Sequence, residues 1–163
     1  MTYLLDANVF IQAKNLYYGL DFCPAFWEWL IAKNEVGQVF SIDKVADELA
    51  AGADELTAWA HQPGAGLFRK TDARVASQFS KVSAWVMGQG YEPVAINTFL
   101  QVADFYLIAH ALAEGHTVVT HEVPAHSLKK IKIPDVCAGL NLRFMTAYEM
   151  LRRERARFVL GRA

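Results

Sequence analysis

Short apolar runs alternate along this chain with longer segments in which apolar residues recur at helical spacing. Tyr3-Leu4-Leu5 is a continuous apolar run that stops at Asp6, the pattern of a strand buried on both faces. Asn8 then caps a predicted helix carrying Val9, Phe10, Ile11 and Leu16, stopped at Gly19. A second helix is predicted over 22–33, where Pro24 suits a first turn and Phe26, Trp27, Leu30 and Ile31 share one side. Gln38 to Ile42 reads as a strand. Asp43 caps the next helix, in which Val45, Ala46, Leu49 and Ala50 pack while Glu48 stands between them. Residues 54–62 make another short helix, closed by Pro63-Gly64-Ala65-Gly66, and Leu67-Phe68 a short extended piece.

In the second half, Asp72 opens a helix through Val75, Phe79, Val82, Val86 and Met87, which Gly88 and Gly90 end and Pro93 bars from continuing. One long helix is predicted from Ile96 to Ala113, with Asp104 inside it beside the buried stripe of Leu100, Ala103, Leu107, Ile108 and Ala111. Gly115 ends it, and His116 to Thr120 is the strongest candidate for a parallel strand. Ile131 to Ile133 leads into a short helix opened by Pro134-Asp135. Arg143 to Met145 is a last strand and Tyr148 to Val159 a last helix. Strands separated by helices predict an α/β fold, a three-layer α/β/α arrangement with a central parallel sheet, in one domain over residues 1–163. In such sheets ligands bind beyond the carboxyl ends of the strands.

Composition narrows the function classes. With 53% hydrophobic and 20% charged residues, the 163-residue chain reads as compact rather than disordered. The net charge of -1 supplies no global basic field, so nucleic-acid binding would need local patches and a cation. No apolar run reaches the ~18–20 residues of a membrane span, and no signal-peptide pattern opens the chain, so a cytoplasmic protein without membrane contact is expected. Cys23 and Cys137 stand far apart without CxxC or histidine spacing, which argues against zinc or a disulfide framework and for buried free thiols.

Four acids carry the candidate chemistry: Asp6, Glu48, Asp104 and Glu122. Each alone has an ordinary alternative: Asp6 a helix cap, Glu48 a solvated helix face, Glu122 a loop residue. Asp104, next to an apolar stripe, is the costliest to leave unpaired. Together, carboxylates that converge need a cation, and an all-oxygen set suits magnesium or manganese.

Leu4-Leu5-Asp6-Ala7-Asn8-Val9-Phe10-Ile11, Ser41-Ile42 with Val45 and Glu48-Leu49, Ala103-Asp104 with Leu107-Ile108-Ala109, and Val118-Val119-Thr120-His121-Glu122 together resemble the PIN-domain nuclease pattern, in its usual order and over essentially the whole chain. FWEWL, KIPDVC and YEML are similar to a poorly characterised prokaryotic branch of PIN-like proteins. The resemblance implies an endoribonuclease dependent on Mg2+ or Mn2+ that hydrolyses single-stranded RNA, many relatives being toxins of toxin–antitoxin modules. It makes Asp6, Glu48, Asp104 and Glu122 the catalytic, metal-holding acids, with Asn8 and Thr120 as the polar residues supporting them. RNA and a cognate antitoxin protein are the implied partners, and a homodimer is left open. The family's last acid is most often Asp. Here it is Glu122, one methylene longer, with Asp135 as a substitute whose ordinary reading, a helix N-terminal residue, is preferred.

Lys14, on the first helix, and Lys129, Lys130 and Lys132, soon after Glu122, are candidate phosphate contacts, with a solvated loop as the alternative for the latter three. Arg152, Arg153, Arg155 and Arg157 read equally as a solvated face, an antitoxin surface or an RNA contact. Tyr17 or Tyr18 could stack a base, though aromatics at helical spacing are more often core. Of the histidines, only His121 stands next to the acids. The competing readings are a PIN-like domain that binds RNA or protein without cleaving, and a small-molecule or phosphoacceptor domain. The latter needs a lysine or hydroxyl constellation that does not stand out.

Overall fold

In the computed structural model, which describes residues 1–62 and 64–161, the chain runs through β1 (Tyr3–Leu5), α1 (Ala7–Gln12), which continues as a π-helical turn (Ala13–Tyr17), α2 (Pro24–Glu35), β2 (Val39–Ile42) and α3 (Asp43–Ala51). It continues through α4 (Glu55–His61), α5 (Gly64–Leu67), β3 (Phe68–Arg69), α6 (Ala73–Ala76), α7 (Phe79–Met87) and α8 (Pro93–Gln101). The last elements are α9 (Ala103–Glu114), β4 (Thr117–Val119), α10 (Ile133–Gly139), β5 (Phe144–Met145) and α11 (Ala147–Arg153). The strands form one sheet in the order β3-β2-β1-β4-β5, every neighbouring pair parallel. This is the expected three-layer α/β/α class.

β1 lies at the centre because it is apolar throughout: Tyr3, Leu4 and Leu5 are fully buried, with Leu4 in register with Phe40 on one side and Val118 on the other. The chain leaves β1 toward β2 and leaves β4 toward β5, in opposite directions across the sheet. A crevice therefore opens beyond the carboxyl ends of β1 and β4. Asp6 and Thr120 are the residues that follow those two strands.

One continuous apolar cluster holds the layers together. Phe26, Trp27 and Leu30 of α2 and Leu107, Ile108 and Ala111 of α9 are buried in it, and Trp27 meets Trp59 of α4 edge to face at 4.7 Å. Burial of each large side chain contributes roughly 1.5–3 kcal/mol. The Tyr3 hydroxyl inside this core is satisfied by donating to Glu154 Oε1 at 2.5 Å. Burial and that carboxylate push the phenol up to about 12.

Several boundaries differ from the expected ones. The long helix expected from Ile96 to Ala113 is two helices, α8 and α9, bent by 67° at an extended Val102. Asp104 consequently stands in the first turn of α9, not inside a helix. The apolar periodicity runs through both helices, so the break leaves no mark in the pattern. Asn8 does not cap α1. Asp6 takes that place, its Oδ1 accepting from the Ala7 N–H at 2.7 Å, and Asn8 lies within the helix. The last helix stops at Arg153 instead of Val159, where Glu154 is drawn to Tyr3 and Arg155 adopts a positive φ of 54°. Gly64 to Gly66, expected as loop, and Leu67, expected to be extended with Phe68, form a helical turn, and the closing role expected of Pro63 lies outside the described residues. Cys137 is buried, but Cys23 is only half-buried; both are free thiols.

No single helix among the described residues is long and apolar enough to cross a membrane. α8 and α9 reach that apolar length only as a bent pair, and α9 is largely core.

Candidate acidic site

Asp6 is the anchor of the site. Ending β1 in an extended conformation, it is only 5% exposed. Its Oδ2 accepts from the Thr120 hydroxyl at 2.9 Å, and its own N–H donates to the Val119 carbonyl at 2.9 Å. Thr120 in turn accepts from Asn8 Nδ2 at 3.3 Å and from the Glu122 N–H at 3.1 Å. Asn8 Oδ1 takes the His121 N–H at 3.1 Å, so this one amide ties α1 to the chain leaving β4. Behind them the buried Ser41 hydroxyl donates to the Leu5 carbonyl at 2.7 Å, joining β2 to β1 one residue before Asp6.

The other acids approach from three directions. Asp104, half-buried, comes from the first turn of α9. Glu48 comes from α3. The residue is exposed, yet desolvation of its carboxyl raises the pKa, with the Ala103 amide opposing the rise. Glu122 follows β4 and is half-buried. Burial raises Asp6 to about 7, and the charges of Glu122 and Glu48 push the same way against the Thr120 hydrogen bond. Burial raises Asp104 to about 8, assisted by the charges of Asp6, Glu122 and Glu48 and opposed by Lys132. Four acids remote in sequence thus act on one another electrostatically at the carboxyl edge of the sheet.

Glu122 is also held structurally. Its Oε2 accepts from the Ile133 N–H at the start of α10 (2.8 Å), and Lys132 Nζ lies 3.6 Å from Oε1. Asp135, in the first turn of α10, is engaged elsewhere, accepting from the Ala125 N–H at 3.0 Å and facing His126 at 3.5 Å. It stands in the helix-terminal position preferred for it, but its carboxylate caps nothing in α10 and instead fastens the loop at Ala125.

The chemistry of the donor set fits a hard divalent cation: four carboxylates, with no thiolate and no histidine cluster. Among the described residues, no three Asp, Glu, His or Cys side chains enclose an ion as they stand. A cation here would take one or two carboxylates, Asp6 and Asp104 first, and keep most of its waters, which is how magnesium usually binds.

Asp104 and Glu122 open into a cavity of about 190 Å³ that Lys129 and Lys130 also line, with apolar walls from Phe99, Val102 and Ile131. These two lysines are therefore beside the acids. Lys14 is not: its Nζ is bound to Asp54 Oδ2 at 2.8 Å, at the start of α4. Sequence reasoning missed Ser41, for which the one available signal was a lone hydroxyl in the apolar run Val39-Phe40-Ser41-Ile42. It also missed Tyr148, whose ring packs against His121 with centroids 5.3 Å apart.

The family model described as "Domain of unknown function (DUF4411)" matches residues 3–158. No curated protein matches the chain. Among solved structures, a chain of VapBC2 from Rickettsia felis, crystallised bound to a DNA fragment from the promoter, superposes with a TM-score of 0.54 at 15% identity. The match covers 90% of this chain and 98% of that one, a likeness of fold. The fold is PIN-like.

Proposed function

This chain belongs to the DUF4411 family, and we propose that it is a metal-dependent endoribonuclease that hydrolyses phosphodiester bonds in single-stranded RNA and acts as the toxin of a toxin–antitoxin module. One observation carries the reading: carboxylates from the residue after β1, from α3, from α9 and from the chain after β4 act on one another at the crevice where the sheet changes direction. A domain with no use for a cation gains nothing by gathering them. The structural likeness to VapBC2, a protein bound to promoter DNA in its crystal structure, supports the toxin–antitoxin part of the reading.

Magnesium or manganese, when bound, supplies a water of lowered pKa and offsets charge on the phosphate. Asp6 and Asp104 are the holding carboxylates in this reading. Thr120 and Asn8 fix the orientation of Asp6, so little of its freedom has to be lost on binding. Glu48, at the solvent side, serves the same charge, directly or across a water. Lys129 and Lys130 in the cavity wall attract the phosphates that the acids alone would repel.

A second reading, an RNA- or protein-binding domain that does not cleave, is favoured by one observation. Glu122 is already bound by the Ile133 amide and faced by Lys132, which leaves it less free for an ion. Mixed RNAs incubated with purified protein decide between the two. The nuclease reading expects fragments with manganese and none with EDTA, whereas intact but retained RNA under both conditions selects the binding domain. For the toxin role, expression of the chain alone should slow growth and Asp6→Asn should relieve it. A variant as harmful as the parent contradicts that role.

A further inference from the structure

Three aromatic rings from distant parts of the chain meet at the rim of the acidic site. Tyr17 ends the π-helical turn after α1, His121 lies between Thr120 and Glu122, and Tyr148 stands in α11. The Tyr17 and Tyr148 centroids are 5.3 Å apart with their planes nearly perpendicular at 84°, and His121 lies 5.3 Å from Tyr148 and 6.3 Å from Tyr17. The cluster is fastened to the acids, because the His121 N–H donates to Asn8 Oδ1 and Asn8 donates to the hydroxyl that holds Asp6.

Tyr17 and its neighbour Tyr18 have opposite fates. Tyr18 stacks on Phe26 at 4.6 Å and meets Phe158, as a core aromatic does. Tyr17 keeps 46% of its surface in water although two other rings fix its position. Arg152 follows Tyr148 by one helical turn, so the two side chains share a face of α11, and Arg152 is exposed. An immobilised ring with open surface beside an exposed cation is the combination that binds single strands: the ring stacks a base and the guanidinium meets a phosphate.

We propose that Tyr17, supported by His121 and Tyr148, is a stacking platform for one unpaired base of an RNA strand passing over the acids, with Arg152 meeting a neighbouring phosphate. The proposal rests on the nuclease reading for its ligand. Stacking recognises any base that can be splayed out, so the platform selects single strands over duplex without selecting sequence. A protein side chain could pack on the same rings. RNA is favoured because the hydrogen-bonded path from the rings leads directly to the acids.

The test is binding of a labelled single-stranded oligoribonucleotide, and of the same strand in a duplex, to the parent, Tyr17→Ala, Tyr17→Phe and Arg152→Ala in EDTA, with cleavage in manganese measured in parallel. Tyr17→Ala should weaken single-strand binding about tenfold, a typical loss for one stacked base. Tyr17→Phe, which keeps the ring, should bind as the parent does. Arg152→Ala should bind more weakly and with a shallower salt dependence. Duplex should bind poorly to all four proteins. Single-strand binding unchanged in Tyr17→Ala, or lost equally in Tyr17→Phe, overturns the platform, as does a Tyr17→Ala protein that binds RNA normally but loses a co-expressed protein partner. Tyr17-dependent binding without cleavage keeps the platform and rejects the nuclease. Cleavage with an unchanged KM in Tyr17→Ala does the reverse, and neither binding nor cleavage rejects both.

Discussion

The Thr120 hydroxyl donates to Asp6 Oδ2 at 2.9 Å while accepting from the Asn8 amide and the Glu122 N–H. A hydroxyl has one donor and two acceptor sites, so this one is fully used. It aligns a buried carboxylate, fixes the first turn of α1 and sets the path of the chain after β4.

Thr120→Val keeps the shape but leaves Asp6 Oδ2 without a donor and two N–H groups without an acceptor. A loss of about 1–3 kcal/mol in urea-denaturation stability is expected. Manganese affinity should fall roughly 10–100-fold, the usual consequence of removing an outer partner of a ligand. Thr120→Ser should retain most of both. A valine variant as stable as the parent means that the hydroxyl holds nothing.

Asp104→Asn should abolish cleavage while leaving the metal-free protein at least as stable as the parent. The amide replaces a carboxyl whose ionisation Asp6, Glu122 and Glu48 oppose, and nearly preserves its shape. If Asp104 were half of a structural ion pair, its loss would instead cost ~3–5 kcal/mol. Thermal melting in EDTA distinguishes the two, and a mutant melting far below the parent makes Asp104 structural.

The pH dependence follows from the same crowding. Asp6 is raised to about 7 and Asp104 to about 8, whereas carboxyls of the unfolded chain titrate near ~4. Between those values the fold holds protons that the unfolded chain has released. The stability these groups contribute is therefore complete below pH ~4 and is lost as pH rises through the folded values. Urea midpoints in EDTA should fall from pH 5 to pH 8.5, and fall less in Asp104→Asn. Manganese at pH 8.5 should reverse the loss. A midpoint that rises over this interval contradicts the placement of the two carboxyls.

The lysines separate by position. Lys129 and Lys130 line the cavity with Asp104 and Glu122, while Lys14 is bound to Asp54. Alanine at 129 and 130 together should weaken RNA binding and make its salt dependence shallower, by about 0.7 in slope for each phosphate no longer neutralised. Lys14→Ala should leave RNA binding unchanged. Titrations at two salt concentrations test both, and equal effects of the two variants remove the distinction.

The sheet and the approach of the acids were legible because they rest on local patterns. Tyr3-Leu4-Leu5 followed by Asp6, and Thr117-Val118-Val119 followed by Thr120, state both a buried strand and the polar residue at its end. The break at Val102 was not legible, since apolar periodicity continues from Leu100 to Leu107 across the extended residue at which α9 turns back to pack on α8. The partners of Lys14 and Glu122 were hidden for a related reason. An ion pair between residues 14 and 54 leaves no periodicity, and the fastening of Glu122 depends on where α10 happens to begin. Tyr17 and Tyr18 had equal standing as neighbouring tyrosines, and only the π-helical turn sends one outward and the other into the core.

Calorimetric titration of manganese into the parent, Asp6→Asn and Asp104→Asn at pH 8.5 tests most directly whether these acids form a cation site. The parent should bind, and a repeat at pH 6 should show protons released on binding, since the raised carboxyls, largely ionised at pH 8.5, must give them up there to ligate. Both variants should bind far more weakly while remaining folded. A parent that takes up no manganese, or variants that bind it as the parent does, would contradict the acidic site at the carboxyl edge of the sheet.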